Sequence, residues 1–361
     1  MCSPPRIAII GAGGIARAHA AGFAAIPDLC TVVAVAEPDT TRVHTIHSMF
    51  GPDVRIVTDY HELLADPDID AVDILLPHDL HMPATCDAAA AGKHVLVEKV
   101  MARSIAECDR MIAACEQANV TLTVCHDRRY HPGWLALKQL IDEDALGNLF
   151  FCKLSHNQDV APPEGHWIRS RERLGGGAIM SCLTHQIDAL RWFAGEVDSL
   201  TCMTRSIPER MEGETVGVIA ARMRSGALAE LSINWWTGIN NTAHGLYYEL
   251  VHLCGTRGEA YWKCGACGQD AAMVHLHKNA DPVAVTRYGD EALGDFVPVP
   301  LADGSGHLNC LREWAHMLRG EPHHVSTTGR DSRATVEVAE AALRAEQTGH
   351  FVSLPLEPLP A

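Results

Sequence analysis

The sequence predicts an α/β protein in two parts: an N-terminal doubly wound parallel sheet, then a C-terminal α/β domain built on a large open, mostly antiparallel sheet. Three observations carry this reading. Up to about residue 125, short apolar runs alternate with amphipathic helical stretches, the pattern of parallel β-α-β units. From about 149 to 300 the period becomes two, as in half-buried antiparallel strands. The 361 residues exceed one ordinary core and suit two domains, expected at 1–125 and 126–361, with C-terminal helices free to pack back on the first.

The first strand is the apolar run Arg6-Ile7-Ala8-Ile9-Ile10. It breaks into Gly11-Ala12-Gly13-Gly14-Ile15-Ala16 and then an alanine-rich helix. This G-x-G-x-x-A spacing after a strand is a dinucleotide-binding fingerprint. Gly11 permits the tight turn, Gly13 lets the backbone approach a pyrophosphate, and Ala16 lets the helix pack closely on the strand. The pyrophosphate is expected on the N–H groups at the positive end of that helix, beside Gly14 and Ile15.

The second strand, Thr31 to Ala36, ends at Glu37. A carboxylate there accepts from ribose hydroxyls and repels a 2′-phosphate, so NAD is expected as cofactor over NADP. A short third strand falls at 54–57. The fourth, Ala71-Val72-Asp73-Ile74-Leu75-Leu76, stops at Pro77, and its carboxyl end should open on the crevice beside the glycine turn. His78, Asp79 and His81 follow at that edge, either as ligand contacts or as a solvated loop entering a helix that begins near Pro83.

Residues 92–99 read as a fifth strand ending in Glu98-Lys99. Lys99 would direct an ammonium at the nicotinamide end of the pocket, where a lysine hydrogen-bonds a substrate hydroxyl or takes part in proton transfer. A Glu98–Lys99 ion pair or a solvent-facing lysine is the competing reading. Residues 121–125 form the last strand of this series.

In the second part, strands are expected at 149–157, 199–205, 216–224, 227–236, 247–255 and 272–278. A helix over 178–194 interrupts them, and helices at 308–319 and 330–348 precede a proline-rich tail. The 178–194 helix follows the glycine cluster Gly175-Gly176-Gly177 and carries His185. Glycines before a helix allow a ligand to approach, and a histidine one turn inside suits general acid/base work. Ser181 and Asp188, at i−4 and i+3, share its face. Taken alone, His185 reads as a packed interhelical histidine ahead of a catalyst.

The net charge of −16 argues against nucleic acid or an anionic membrane surface as partner. No run approaches the roughly 18–20 apolar residues of a transmembrane helix, and the first residues lack a basic n-region, so the cytoplasm is the expected compartment. The 13 cysteines have no repeating spacing, and Cys86, Cys108 and Cys115 lie inside apolar helical patterns, as in a reduced compartment. Cys264-Gly-Ala-Cys267 with His275 and His277 formally offers a tetrahedral N/S set. A hairpin turn with both histidines on one strand face is the preferred reading, and no metal is expected.

Together these segments closely resemble the Gfo/Idh/MocA oxidoreductase family, named for glucose-fructose oxidoreductase and inositol dehydrogenase. The resemblance runs through the glycine turn, the strand ending in Pro77 with His81 after it, GKHVLVEK at 92–99, Arg128-Arg129-Tyr130-His131-Pro132, Leu146-Gly147, GGGAIMSCLTHQID at 175–188 and GTRGEA at 255–260. It implies a Rossmann domain joined to an α/β domain whose open sheet makes homodimer or homotetramer contacts. It also implies a nicotinamide cofactor and a carbohydrate or cyclitol substrate, oxidised or reduced at a hydroxyl-bearing carbon.

Carried over residue by residue, Lys99 matches the catalytic lysine of the family's Glu-Lys-Pro motif, His185 matches the histidine that exchanges the hydroxyl proton, and Glu98 contacts the nicotinamide ribose. Pro77, His78 and His81 join the glycine turn and Glu37 on the cofactor side. Arg128, Trp167, Arg169, Ser181 and Thr184 join Lys99 and His185 on the substrate side. Trp167, Arg169, Arg171, Trp235 and Trp236 are candidates for a sugar platform, with packing or loop anchoring as the alternative for each. Two positions depart from the family pattern: Val100 replaces the usual proline, and Ser181 stands where many members place an aspartate. Two other functions stay open on the same fold, an NAD-retaining enzyme that cleaves a glycosidic bond through transient oxidation and a non-enzymatic dinucleotide sensor.

Overall fold

The computed structural model describes residues 3–237, 248–265 and 268–356. The chain forms two compact units, Met1–Tyr130 with Gly304–Val336 and His131–Asp303 with Glu337–Ala361. Against the expected 1–125 and 126–361, the first unit takes in residues 126–130 and recovers a stretch from near the end of the chain.

In the first unit, β1 (Arg6–Ile10), β2 (Thr31–Ala36), β3 (Arg55–Val57), β4 (Ala71–Ile74), β5 (His94–Glu98) and β6 (Leu122–Cys125) make a six-stranded sheet in the order β3-β2-β1-β4-β5-β6. Every pair is parallel. Successive residues Ile7, Ala8 and Ile9 are all fully buried, because helices cover both faces and leave no polar side. The strand order reverses between β1 and β4, and that switch point opens a crevice at their carboxyl ends.

The Gly306–Leu318 helix returns to this unit and packs on the Ala16–Ala24 helix, with the Phe23 and Trp314 rings 6.5 Å apart. Gly22 lets them approach, since a Cβ there would lie 2.6 Å from Leu311 Cδ1. β4 ends at Ile74, and the next helix is His78–Ala90, not one that begins near Pro83. Pro77, with φ −56° and ψ 149°, caps that helix, and Leu80 N donates to its carbonyl at 2.9 Å. Pro83 therefore lies within the helix, where the proline was read as its start.

The second unit holds β7 (Leu149–Asn157), β8 (Val197–Ser206), β9 (Glu214–Met223), β10 (Leu228–Asn234), β11 (Tyr248–Gly255), β12 (Gly258–Gly265), β13 (Gly268–Leu276), β14 (Val297–Pro298) and β15 (Val352–Ser353). They form one sheet in the order β14-β13-β12-β11-β7-β10-β9-β8-β15. Among the described residues only β7 and β10 pair in parallel, so the sheet is open and mostly antiparallel. Leu154, Ile219, Leu231, Val251 and Leu253 are fully buried on one face, and the Thr184–Ala194 helix packs against β7. Met203, Val218 and Leu228, on the opposite parity, stay exposed. Among the described residues no helix is long and apolar enough to cross a membrane.

Candidate active site

In the first unit the glycine turn lies at the carboxyl end of β1. Gly11 has φ +93°, and a Cβ there would meet the Leu75 carbonyl at 2.7 Å, so both conformation and space demand glycine. Gly13 and Gly14 differ: a Cβ on either meets no atom of the chain within 4 Å. Nothing inside the fold requires glycine there, so the bare backbone is open to something outside it. Ile15 stands at the N-cap of the Ala16–Ala24 helix, which no side chain caps. An anion is the natural partner of those first-turn N–H groups.

Glu37 is 9% exposed and fixed in place, its Oε2 accepting from Ala12 N at 3.0 Å and its Oε1 from Asp39 N at 3.1 Å. The acid is thus tied to the glycine turn. Beside the turn, Ile10, Gly11, Ala36, Tyr60, Leu76 and Leu80 help line a mostly apolar cavity of about 360 Å³. Open backbone at a helix N-terminus, an anchored carboxylate and an apolar cavity beside them offer the chemistry that a nicotinamide dinucleotide needs.

At the end of β5, Glu98 is nearly buried, with Oε2 accepting from Lys99 N at 3.0 Å and Oε1 within 3.0 Å of His19 Nε2. His19 Nδ1 lies 2.7 Å from Asp73 Oδ2, and neither residue is exposed. Burial alone would lower the His19 pKa, but Asp73 and Glu98 hold it well above the ordinary histidine value. His19 is thus held between the Asp73 and Glu98 carboxyl groups, while burial outweighs His19 at Asp73 and pushes that carboxyl up. Burial alone would raise Glu98, but His19, His307 and Lys99 outweigh it and bring it down to about 2. A permanent carboxylate therefore anchors the backbone of Lys99, and the Lys99–Val100 peptide at the family's Lys-Pro position is cis.

The His19–Asp73 pair was not anticipated. Its signal was a charged residue in the middle of the apolar run of β4, three residues after Asp70 and between Val72 and Ile74. His81 takes a different place from the one expected of a cofactor contact. It is fully buried, with Nδ1 2.8 Å from the Val100 carbonyl and Nε2 2.8 Å from the Leu76 carbonyl, and so it ties the ends of β4 and β5 together. His78 opens the His78–Ala90 helix, 4% exposed, its ring 5.6 Å from that of His81. Arg128 donates to Asp127 Oδ2 at 2.7 Å.

In the second unit, His185 lies in the first turn of the Thr184–Ala194 helix, immediately after one π-helical turn, Ile179–Leu183. The expected continuous helix is thus widened just before its histidine, a distortion frequent at functional sites. Gly177 ahead of it serves packing and not ligand approach. A Cβ on Gly177 would meet Glu214 O at 2.2 Å and Glu214 N at 2.4 Å, while Glu214 Oε1 accepts from Gly177 N and Ile179 N at 2.9 and 3.1 Å.

His185 is 7% exposed, its ring 6.4 Å from that of His156 and within 4° of parallel. His156 Nδ1 lies 2.9 Å from Glu249 Oε1, which also accepts from Gln186 Nε2 at 3.1 Å. Burial would lower the His156 pKa, but Cys182 and Glu249 raise it to about 9. This buried imidazolium was missed, although it shares the inward parity of Cys152 and Leu154 on β7.

Ser181 is nearly buried, and its carbonyl accepts from Thr184 Oγ1 at 2.6 Å, which commits the Thr184 hydroxyl to its own helix. Arg169 donates to the Glu209 carbonyl at 3.0 Å and the Pro162 carbonyl at 3.4 Å, so it anchors loops. Trp167 is half-buried with its ring 6.0 Å from that of His166, and Trp235 is buried. Trp236 is 39% exposed under the Arg210 guanidinium, 4.5 Å from its ring centroid. The Cys264 side chain and all of Cys267 lie outside the described residues.

The chain is similar to known proteins along most of its length. The family profile described as "Oxidoreductase family, NAD-binding Rossmann fold" matches residues 5–126, and the GFO/IDH/MocA C-terminal domain matches residues 134–261. The 1,5-anhydro-D-fructose reductase of Ensifer adhaerens is 31% identical over 302 residues, 83% of this chain and 84% of that protein. The myo-inositol 2-dehydrogenase of Thermotoga maritima is 26% identical over 264 residues, 71% and 74% of the two chains. Among solved structures, levoglucosan dehydrogenase in complex with NADH and levoglucosan superposes with a TM-score of 0.79 at 22% identity, covering 98% of this chain and 100% of that one, a likeness of fold.

Proposed function

Because the chain belongs to the Gfo/Idh/MocA family of NAD-binding oxidoreductases, which act on sugars and cyclitols, we propose that it is an NAD-dependent dehydrogenase of a sugar, sugar derivative or cyclitol. The observation that carries this reading is the carboxyl edge of the parallel sheet, where Glu37 is fastened to the glycine turn and Glu98 to Lys99. Bound NAD supplies the hydride acceptor. Gly13 and Gly14 admit its pyrophosphate, Glu37 receives the ribose hydroxyls, Pro77, His78 and Glu98 shape the nicotinamide end, and His81 ties together the strand ends that carry it. His185 accepts the proton of the substrate hydroxyl as hydride leaves, and Lys99 stabilises the oxyanion that develops. Arg128, Trp167, Arg169 and Ser181 shape the substrate's surroundings.

The relatives are named for 1,5-anhydro-D-fructose, myo-inositol and levoglucosan, so the substrate panel starts with anhydrosugars and inositols. The absorbance of reduced nicotinamide is followed as protein, NAD and each polyol are mixed. One polyol class should give turnover that falls by about 100-fold or more in Lys99→Ala and in His185→Ala. No turnover across the panel, or normal turnover in both variants, refutes the assignment.

The open face of the nine-stranded sheet, with Met203, Val218 and Leu228 exposed, is assigned to contacts between copies in a homodimer or homotetramer. Light scattering should give an oligomer for the native chain and a smaller species for Met203→Asp with Val218→Asp. An unchanged mass refutes this surface.

A further inference from the structure

A second set of donor atoms lies on the outer face of the other wing of that sheet, apart from the residues assigned above to cofactor and substrate. In register, Cys254 stands opposite Glu259, and Glu259 opposite His275, so three neighbouring strands β11, β12 and β13 place them in one row. His252 sits two residues before Cys254 on the same face, and His277 two residues after His275. His252 Nε2 lies 3.1 Å from Glu259 Oε2 and 3.5 Å from Cys254 Sγ, and Cys254 Sγ lies 3.9 Å from Glu259 Oε2. The other carboxylate oxygen, Oε1, faces His277 Nε2 at 3.7 Å.

Those three edges decide the chemistry. A tetrahedral ion with bonds of about 2.0 Å to nitrogen and oxygen and about 2.3 Å to sulfur separates its ligands by roughly 3.3–3.6 Å. The triangle of imidazole, thiol and carboxylate lies within about 0.4 Å of that geometry. Borderline-soft N, S and O donors select zinc over calcium or magnesium. In the absence of an ion the same triangle is closed by hydrogen bonds, with the thiol donating to Glu259 Oε2 and lying beside His252 Nε2, so the three donor atoms already face one point. We propose that His252, Cys254 and Glu259 bind one zinc-class divalent ion, with His277 orienting the carboxylate from its second oxygen.

The ion would pin β11 to β12 beside the turn that joins them. That turn has little freedom of its own: a Cβ on Gly255 would meet the Leu146 carbonyl at 2.1 Å, and Arg257 N donates to the same carbonyl at 2.8 Å. Zinc binds the thiolate and not the thiol, so Cys254 releases its proton on binding at neutral pH.

The test uses the full-length protein, stripped with a chelator and titrated with Zn²⁺ by calorimetry in two buffers of different ionisation enthalpy. One equivalent should bind with release of a proton. Affinity should fall about tenfold or more in His252→Ala and in Cys254→Ser, with thermal melting showing both variants folded. Co²⁺ in place of Zn²⁺ should give a thiolate-to-cobalt charge-transfer band that Cys254→Ser abolishes. No stoichiometric uptake, uptake untouched by either variant, or binding lost only in His275→Ala with His277→Ala overturns the proposal.

Discussion

Two glycine-rich approaches to a helix occur in this chain, and they are glycine-rich for opposite reasons. In the turn at 11–14, Cβ atoms on Gly13 and Gly14 would touch nothing, so the protein gains no packing from their absence. In the cluster at 175–177, a Cβ on Gly177 would collide with the backbone of Glu214. The first pair leaves room for a visitor, and the second lets the chain touch itself. A missing side chain is informative only once it is known what fills its place. Sequence alone does not carry that: both clusters were read as room for a ligand, and at Gly177 the chain itself fills the room.

The sharpest way to break this contrast is to add one methyl group at each place. Gly177→Ala should lower the free energy of unfolding by about 3 kcal/mol or prevent folding, because rigid backbone stands in the way. Chemical denaturation measures it, and a loss under about 1 kcal/mol would mean that β9 can move aside.

The second unit's buried charge gives an effect of similar size that depends on pH. His156 has a folded pKa of about 9 against an ordinary 6.5, so its contribution is complete below about 6.5 and is lost as pH rises through about 9. Unfolding free energy should drop by about 3 kcal/mol over that window in the native chain and much less in His156→Gln. The first unit adds an acid counterpart. Glu98 titrates at about 2 against an ordinary 4.5, so its contribution is present above about 4.5 and is lost as pH falls toward 2.

Gly13→Ala should leave stability within about 0.5 kcal/mol of the native chain while weakening NAD binding about tenfold. Fluorescence titration with NADH reads the second part. A large loss of stability would erase the distinction between the two clusters. Smallest is Glu37→Gln, which keeps an acceptor for Ala12 N and removes the charge. The ratio of NADP to NAD affinity should rise by about tenfold, and an unchanged ratio would remove Glu37 from cofactor selection.

The parallel sheet was legible because strands covered on both faces are uninterrupted apolar runs, and β1, β2 and β5 offered no alternative. Most strands of the second sheet were legible from alternation, but β12 was not singled out, since Gly258 and Gly265 bound it and Trp262 sits in its middle. The start of the His78–Ala90 helix was misplaced because Pro83 resembles a helix start, whereas Pro77 is the cap. Lys99 and His185 were singled out as candidates through their motifs and the family resemblance. Their supporting pairs, His19 with Asp73 and His156 with Glu249, were not, because each pair joins residues 54 or more positions apart. No local pattern reveals such a partner. Ser181, where many family members place an aspartate, lies within a π-turn that ordinary helical periodicity does not encode.

The return of Gly304–Val336 to the first unit bears on how the protein is made. Phe23, Ile26 and Tyr130 share one core with Leu311 and Trp314, yet the ribosome delivers the two sides of that core far apart in time. At a synthesis rate of roughly 5–20 residues per second, the nascent N-terminal sheet waits on the order of ten seconds or more with an apolar flank bare. During that interval the emerging chain offers a target to chaperones. A ribosome stalled before residue 304 should present a protease-sensitive first unit, and one stalled well past 336 a resistant one.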